Sequence, residues 1–134
     1  MDNYYLDRCH SLDMDKYVKF VGRKTKDEVA NIINNSDILI ITSEKETFGI
    51  PGIEALAAGV PVISSKCGGP EEYLNDKCGK LYEVGDIKGL ASAIELVAKN
   101  LDKYDFQVLR NVAMQYSQEE VINKALEIYT KVRK

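Results

Sequence analysis

Two carboxylates separated by the seven-residue spacer TFGIPGI, Glu46 and Glu54, are the residues best placed to do chemistry in this 134-residue sequence. Pro51 suits the first position of a helix, where its missing N–H costs nothing, and Gly59 suits the left-handed residue that closes one. The spacing therefore predicts a helix over 51–58. The first turn of that helix leaves backbone N–H groups around Ile50, Gly52 and Ile53 without intrahelical partners, and Gly49 and Gly52 let a ligand approach the main chain. Such a row of amides receives anions. Glu54 lies at the end of the first turn and Glu46 in the loop ahead of it, so two carboxylates frame one set of free amides. Carboxylates repel phosphate but accept hydrogen bonds from sugar hydroxyls, and the combination points to a ligand carrying both groups.

Other chemistry-bearing segments are weaker. CGGPEEYL, residues 67–74, has glycines for an open turn and Pro70 ready for a helix start, which is also how an ordinary turn and cap would read. GRKTK brings Arg23, Lys24 and Lys26 together; they could meet phosphate or an acceptor, although a charged loop is ordinarily just solvated. Asp13-Met14-Asp15 has the D-x-D form that holds divalent ions elsewhere, but it precedes a strand-like run instead of following one and reads as a polar loop. Cys9, Cys67 and Cys78 show no C-x-x-C spacing, and with His10 as the only histidine they do not assemble a four-ligand zinc site, so no metal is expected.

The elements that must position these residues alternate. Apolar runs of strand length recur at YVKFVG (17–22), ILIITS (38–43), PVISS (61–65) and KLYEV (80–84), each bounded by Gly, Pro or capping residues. Thr25 with Glu28 forms a capping box ahead of Val29, Ile32 and Ile33, and Asp86 caps a helix carrying Leu90, Ile94 and Val97. Ser117 with Glu120 opens a terminal helix whose Val121, Ala125, Ile128 and Val132 share a face, with Lys131, Arg133 and Lys134 at its negative end. Residues 103–116 read as a further helix, and Tyr4, Tyr5, Leu6 and Cys9 as a short one at the start. Strand-helix alternation predicts an α/β fold, a Rossmann-like parallel sheet of about four strands with flanking helices, because parallel neighbours need a crossover.

Residues 1–134 read as one domain, large enough to bury a core, with ordinary globular values of 45% hydrophobic and 29% charged residues. A net charge of −3 offers no electropositive footprint for nucleic acid. The longest apolar run, ILII at 38–41, is far short of the roughly 20 residues of a membrane span. The start MDNYYLDR lacks the basic-then-apolar order of a signal peptide, so a cytoplasmic location is expected.

The stretch from Glu46 through TFGIPGI to Glu54, continuing EALAAGVPVISS, resembles the signature of group 1 (family 4) retaining glycosyltransferases, in the C-terminal, donor-binding domain of the GT-B fold. The likeness continues through Gly68 to Glu72, Gly79 to Tyr82, and Tyr116, Ser117 and Glu127 to Tyr129. It implies that Glu54 binds the ribose hydroxyls of a nucleotide diphosphate-sugar, that Glu46 faces the transferred sugar and its reacting centre, and that the amides of Phe48, Gly49 and Ile50 line sugar and diphosphate. Gly68, Gly69 and Glu72 become neighbours of the donor. The implied reaction is transfer of a sugar to an acceptor with retention, metal-independent and without a cofactor.

Measured against that family, the sequence is incomplete. The resemblance implies an N-terminal half carrying acceptor contacts, two earlier strands, and an Arg and a Lys that embrace the diphosphate, none of which this sequence contains. In a sheet ordered 3-2-1-4-5-6 the strand at 17–22 loses its neighbour. It is expected either to move beside the strand at 38–43 or to leave a gap that another copy or chain fills. The main alternative to a donor-binding glycosyltransferase fragment is a noncatalytic binding or assembly module completed by a separate N-terminal chain. A small α/β signalling receiver is a third reading, disfavoured because the acidic pair expected at the end of its first strand is missing.

Overall fold

The computed structural model describes residues 3–132, so Arg133 and Lys134 of the expected basic helix end lie outside the described residues. The chain begins with helix α1 (Asn3–Ser11) and reaches α2 (Lys26–Asn34) through a segment without regular structure. The alternation β1 (Leu39–Ile41), α3 (Ile50–Ala57), β2 (Val62–Ser65), β3 (Gly79–Tyr82) and α4 (Ile87–Ala98) follows. Helices α5 (Phe106–Met114) and α6 (Gln118–Val132) end it, with short 3-10 turns at Gly69–Glu72 and Leu101–Lys103.

The local signals act where they were expected. Thr25 Oγ1 accepts the Glu28 amide and the Glu28 carboxylate accepts the Thr25 amide at 2.9 Å, completing a capping box. Asp86 accepts from the Gly89 amide; Asp105, which the sequence reading did not single out, does the same through Val108, so α5 starts at Phe106 and not at 103. Helix α3 ends as its sequence demands. Gly59 is left-handed at φ +79°, its amide donates to Leu56, and the Val60 amide reaches back to Ala55, which together form a Schellman cap.

The sheet is parallel and ordered β1-β2-β3, with Leu39 opposite Val62 and Val62 opposite Gly79. Its two faces are covered by different helices. Val62 joins Ala55 and Leu56 of α3 and Leu109 and Ala113 of α5 in one core, while Ile63, next along the same strand, packs with Tyr82 and with Ala93 and Val97 of α4 in another. This is the alternation that a two-faced strand imposes.

The expectation of about four strands needs correction: among the described residues three form, and Tyr17–Gly22 is not among them. A strand is stable only when its amides and carbonyls find a neighbour, and in a 3-2-1-4-5-6 order this segment's neighbour is absent. Nor does it move beside β1, whose other edge stays open. Tyr17, Val18, Phe20 and Val21 remain exposed.

Candidate functional site

The loop leaving β1 turns into α3 at Gly49, whose φ of +77° is a left-handed conformation that glycine adopts without strain. No side chain caps this helix. Among the described residues, the N–H groups of Phe48, Gly49 and Ile50 donate to no backbone or side-chain acceptor. Ile50 itself is 62% exposed. Beneath it, the Gly49 carbonyl accepts both the Gly52 amide at 2.8 Å and the Tyr73 hydroxyl at 2.9 Å. A Cβ on Gly52 would overlap Tyr73 Oη. The space beside Gly52 is therefore occupied by the protein's own tyrosine and is not held open for a ligand.

Glu46 is half-buried and pinned to the second junction by a parallel bridge to Gly68. Its amide donates to the Cys67 carbonyl at 2.8 Å and its carbonyl accepts from the Gly69 amide at 3.0 Å. The carboxylate takes the Thr47 amide at 3.1 Å. The glycines at 68 and 69 make this approach possible: a Cβ at 68 would sit 2.8 Å from the Glu46 carbonyl oxygen, and one at 69 would overlap the Phe48 backbone. The Gly68 amide is itself taken by Glu71 at 2.7 Å. Gly68 is exposed, whereas Gly69 is buried. Glu72, also exposed, follows on the 3-10 turn, and its carbonyl accepts the Tyr116 hydroxyl at 3.2 Å.

Glu54 is exposed on α3 and lines a cleft of about 580 Å³ between α2 and α3, together with Lys24, Lys26, Val29, Ile33 and Pro51. Lys24 also pairs with Glu28 at 3.1 Å. The structure thus gathers Glu46, Phe48, Gly49, Gly68 and Gly69 into one cluster. Glu54 stands with two lysines in the α2–α3 cleft, and the α3 N-terminus lies between the two groups. Among the described residues no group of three or more His, Cys, Asp or Glu could hold a metal ion, and no helix is long and apolar enough to cross a membrane. Asp15 of the D-x-D tripeptide is paired with His10 at 2.6 Å.

Sequence reasoning passed over Tyr73 and set Lys24 and Lys26 aside as a solvated loop. Tyr73 is only 3% exposed and packs its ring against Phe48, 5.6 Å between centroids, and Tyr116, 6.1 Å. Burial, aided by nearby Cys67 and Glu46, pushes its hydroxyl well above the ordinary tyrosine value of 10. The phenol stays neutral and donating. The signal that could have exposed it is the glycine at 52: inside a helix, a glycine that is not a cap implies something pressed against the backbone.

With this geometry in place, comparison with known proteins is informative. The family described as "Glycosyl transferases group 1" matches residues 1–108. N-acetyl-alpha-D-glucosaminyl L-malate synthase of Bacillus anthracis is 34% identical over an alignment of 131 residues that covers 92% of this chain and 33% of that protein. The chain therefore spans about a third of the length of that relative. Among solved structures, sucrose-phosphate synthase from Thermosynechococcus elongatus superposes with a TM-score of 0.86 at 22% identity, covering 97% of this chain and 34% of that one. Anabaena Alr3699/HepE in complex with UDP-glucose superposes with a TM-score of 0.78 at 24% identity, covering 98% and 36%. At these identities the structural likenesses establish the fold alone.

Proposed function

Because the chain belongs to the group 1 glycosyl transferases, we propose that it is the donor-binding part of a retaining enzyme that moves a sugar from a nucleotide diphosphate-sugar to an acceptor. The observation that carries this reading is the row of unpartnered amides at Phe48, Gly49 and Ile50, flanked by Glu46 on one side and Glu54 on the other.

In this reading the amides donate to the diphosphate and the nearest sugar oxygens, at the positive end of α3. Glu54 accepts hydrogen bonds from the ribose diol, with the nucleotide running into the α2–α3 cleft, where Lys24 and Lys26 add positive charge. Glu46, fixed through both its backbone groups, faces the reacting sugar. Glu72, Gly68 and Gly69 border the sugar, with the two glycines acting chiefly by holding the loops together. The chemistry asks for no metal or cofactor, since amides and lysines supply the positive charge. The free thiols of Cys67 and Cys78 suit a reducing compartment, which supports a cytoplasmic assignment.

Titration with UDP, ADP and GDP by calorimetry tests this. One of the three is expected to bind, and Glu54→Ala to weaken that binding roughly tenfold or more, the worth of hydrogen bonds to a charged group, without lowering the melting temperature. Equal affinity in the variant rejects the ribose role. A second reading, a noncatalytic module completed by a separate chain, is favoured by the open edge of β1 and by α6, which carries no buried residue.

A further inference from the structure

We propose that Tyr73 is a positioning residue for the donor: its hydroxyl, acting from beneath the loop, fixes the Gly49–Ile50 peptide so that the Ile50 N–H faces outward to the ligand. The inference rests on the reading of the α3 amides as donor-binding groups. It concerns what aims them.

The peptide unit couples the two groups. In a planar trans peptide the C=O and N–H point in opposite directions, and the described residues contain no cis bond. Whatever holds the Gly49 carbonyl inward therefore directs the Ile50 N–H outward. Two donors hold it: the Gly52 amide at 2.8 Å and Tyr73 Oη at 2.9 Å. The first belongs to the opening turn of α3 itself. The second comes from a residue 24 positions further along the chain, so it ties the loop to an independent part of the fold.

The tie is needed at this point because Gly49 has no side chain of its own to anchor its left-handed conformation. With no Cβ and a φ of +77°, it can exchange its conformation for others at little cost, and such an exchange would rotate the Ile50 amide away. Tyr73 is suited to prevent this. Its ring is 3% exposed and clustered with those of Phe48 and Tyr116, so the hydroxyl cannot follow a moving carbonyl. The sequence has also made room for it, because any side chain at position 52 would overlap Oη and at position 49 would come within 2.9 Å of it. Gly49, Gly52 and Tyr73 form one device, and Tyr73 touches no ligand.

The test uses the chain with UDP as probe, read by calorimetry and by the Ile50 amide resonance in two-dimensional NMR. Tyr73→Phe keeps the ring and removes the hydroxyl. Gly52→Ala keeps the hydroxyl but displaces it. Both are expected to move the Ile50 amide resonance before any ligand is added, and to weaken UDP binding roughly threefold to tenfold, the scale of one neutral hydrogen bond. Val97→Ala, in the core on the opposite face of the sheet, serves as the control: it should lower the melting temperature and leave the affinity of the folded protein unchanged. If the wild type binds UDP and Tyr73→Phe binds it equally well with an unmoved Ile50 resonance, the positioning role is overturned while the donor reading stands. The role also falls if Val97→Ala weakens binding as much as Tyr73→Phe does. If neither UDP nor any other nucleoside diphosphate binds the wild type, the donor reading falls and the positioning role with it.

Discussion

A methyl group at position 69 would overlap the Cα of Phe48, a backbone atom that has no rotamer by which to move aside. Gly69→Ala is accordingly expected to cost about 2 kcal/mol, in the range of overpacking, and to lower the melting temperature by about 6 °C. A thermal melt followed by circular dichroism checks this. Tyr73 gives a second prediction at the same scale. Its folded-state pKa lies above the unfolded value of 10, so below pH 10 the phenol is neutral in both states and its contribution is fully present. Above pH 10 the unfolded chain releases the proton first, and stability falls as pH rises toward the folded-state value. Tyr82 and Tyr104, also raised by burial, act in the same direction. Melting temperatures measured from pH 8 to 11 should fall more steeply for the wild type than for Tyr73→Phe. The helix that follows Glu46 and carries Glu54 was legible in the sequence because the Pro51 and Gly59 punctuation that bounds it is local. Tyr73 was not, since nothing in EEYL tells that its hydroxyl meets a carbonyl in a different loop.

Two helix starts were readable because the deciding contact spans three residues. Thr25 with Glu28 and Asp86 with Gly89 close as the sequence implies, and Asp86→Ala should cost about 1 kcal/mol, measurable by urea denaturation. Ser117 is a partial case. Its hydroxyl accepts the Glu120 amide at 3.3 Å, but its own N–H already donates to the Met114 carbonyl at 3.1 Å, so the reciprocal half of the expected box is occupied. The strand expected at 17–22 failed because strand formation is a property of pairs. Its apolar pattern is sound, but a partner cannot be read from six residues. Hydrogen exchange should report the difference: amides of residues 19–22 exchange orders of magnitude faster than those of Val62–Ser65, which are buried between two paired strands. Protection of 19–22 in a dilute sample would contradict the unpaired assignment.

For the molecule as a whole, the α/β class and the parallel sheet followed from strand-helix alternation, whereas the strand count did not: about four were expected and three form among the described residues. A helix N-terminus offers about 1 kcal/mol, up to roughly 2, to a bound anion, whereas enzymatic acceleration requires about 8 or more. The chain alone is therefore expected to transfer no sugar from UDP-glucose to water or to any acceptor; release of labelled glucose above the uncatalysed rate would refute this. The division of the core has a further consequence for biosynthesis. The inner side of α3, Ala55 and Leu56, is sealed by Leu109 and Ala113 of α5, which leave the ribosome long after α3 has been made. Until then the nascent chain carries a greasy, half-finished helix directly behind the amides that are to meet the donor. A protein stopped short of residue 109 would keep every residue of the Glu46-to-Glu54 motif and the loop contacts around it, and yet lose the backing that α5 gives to the helix.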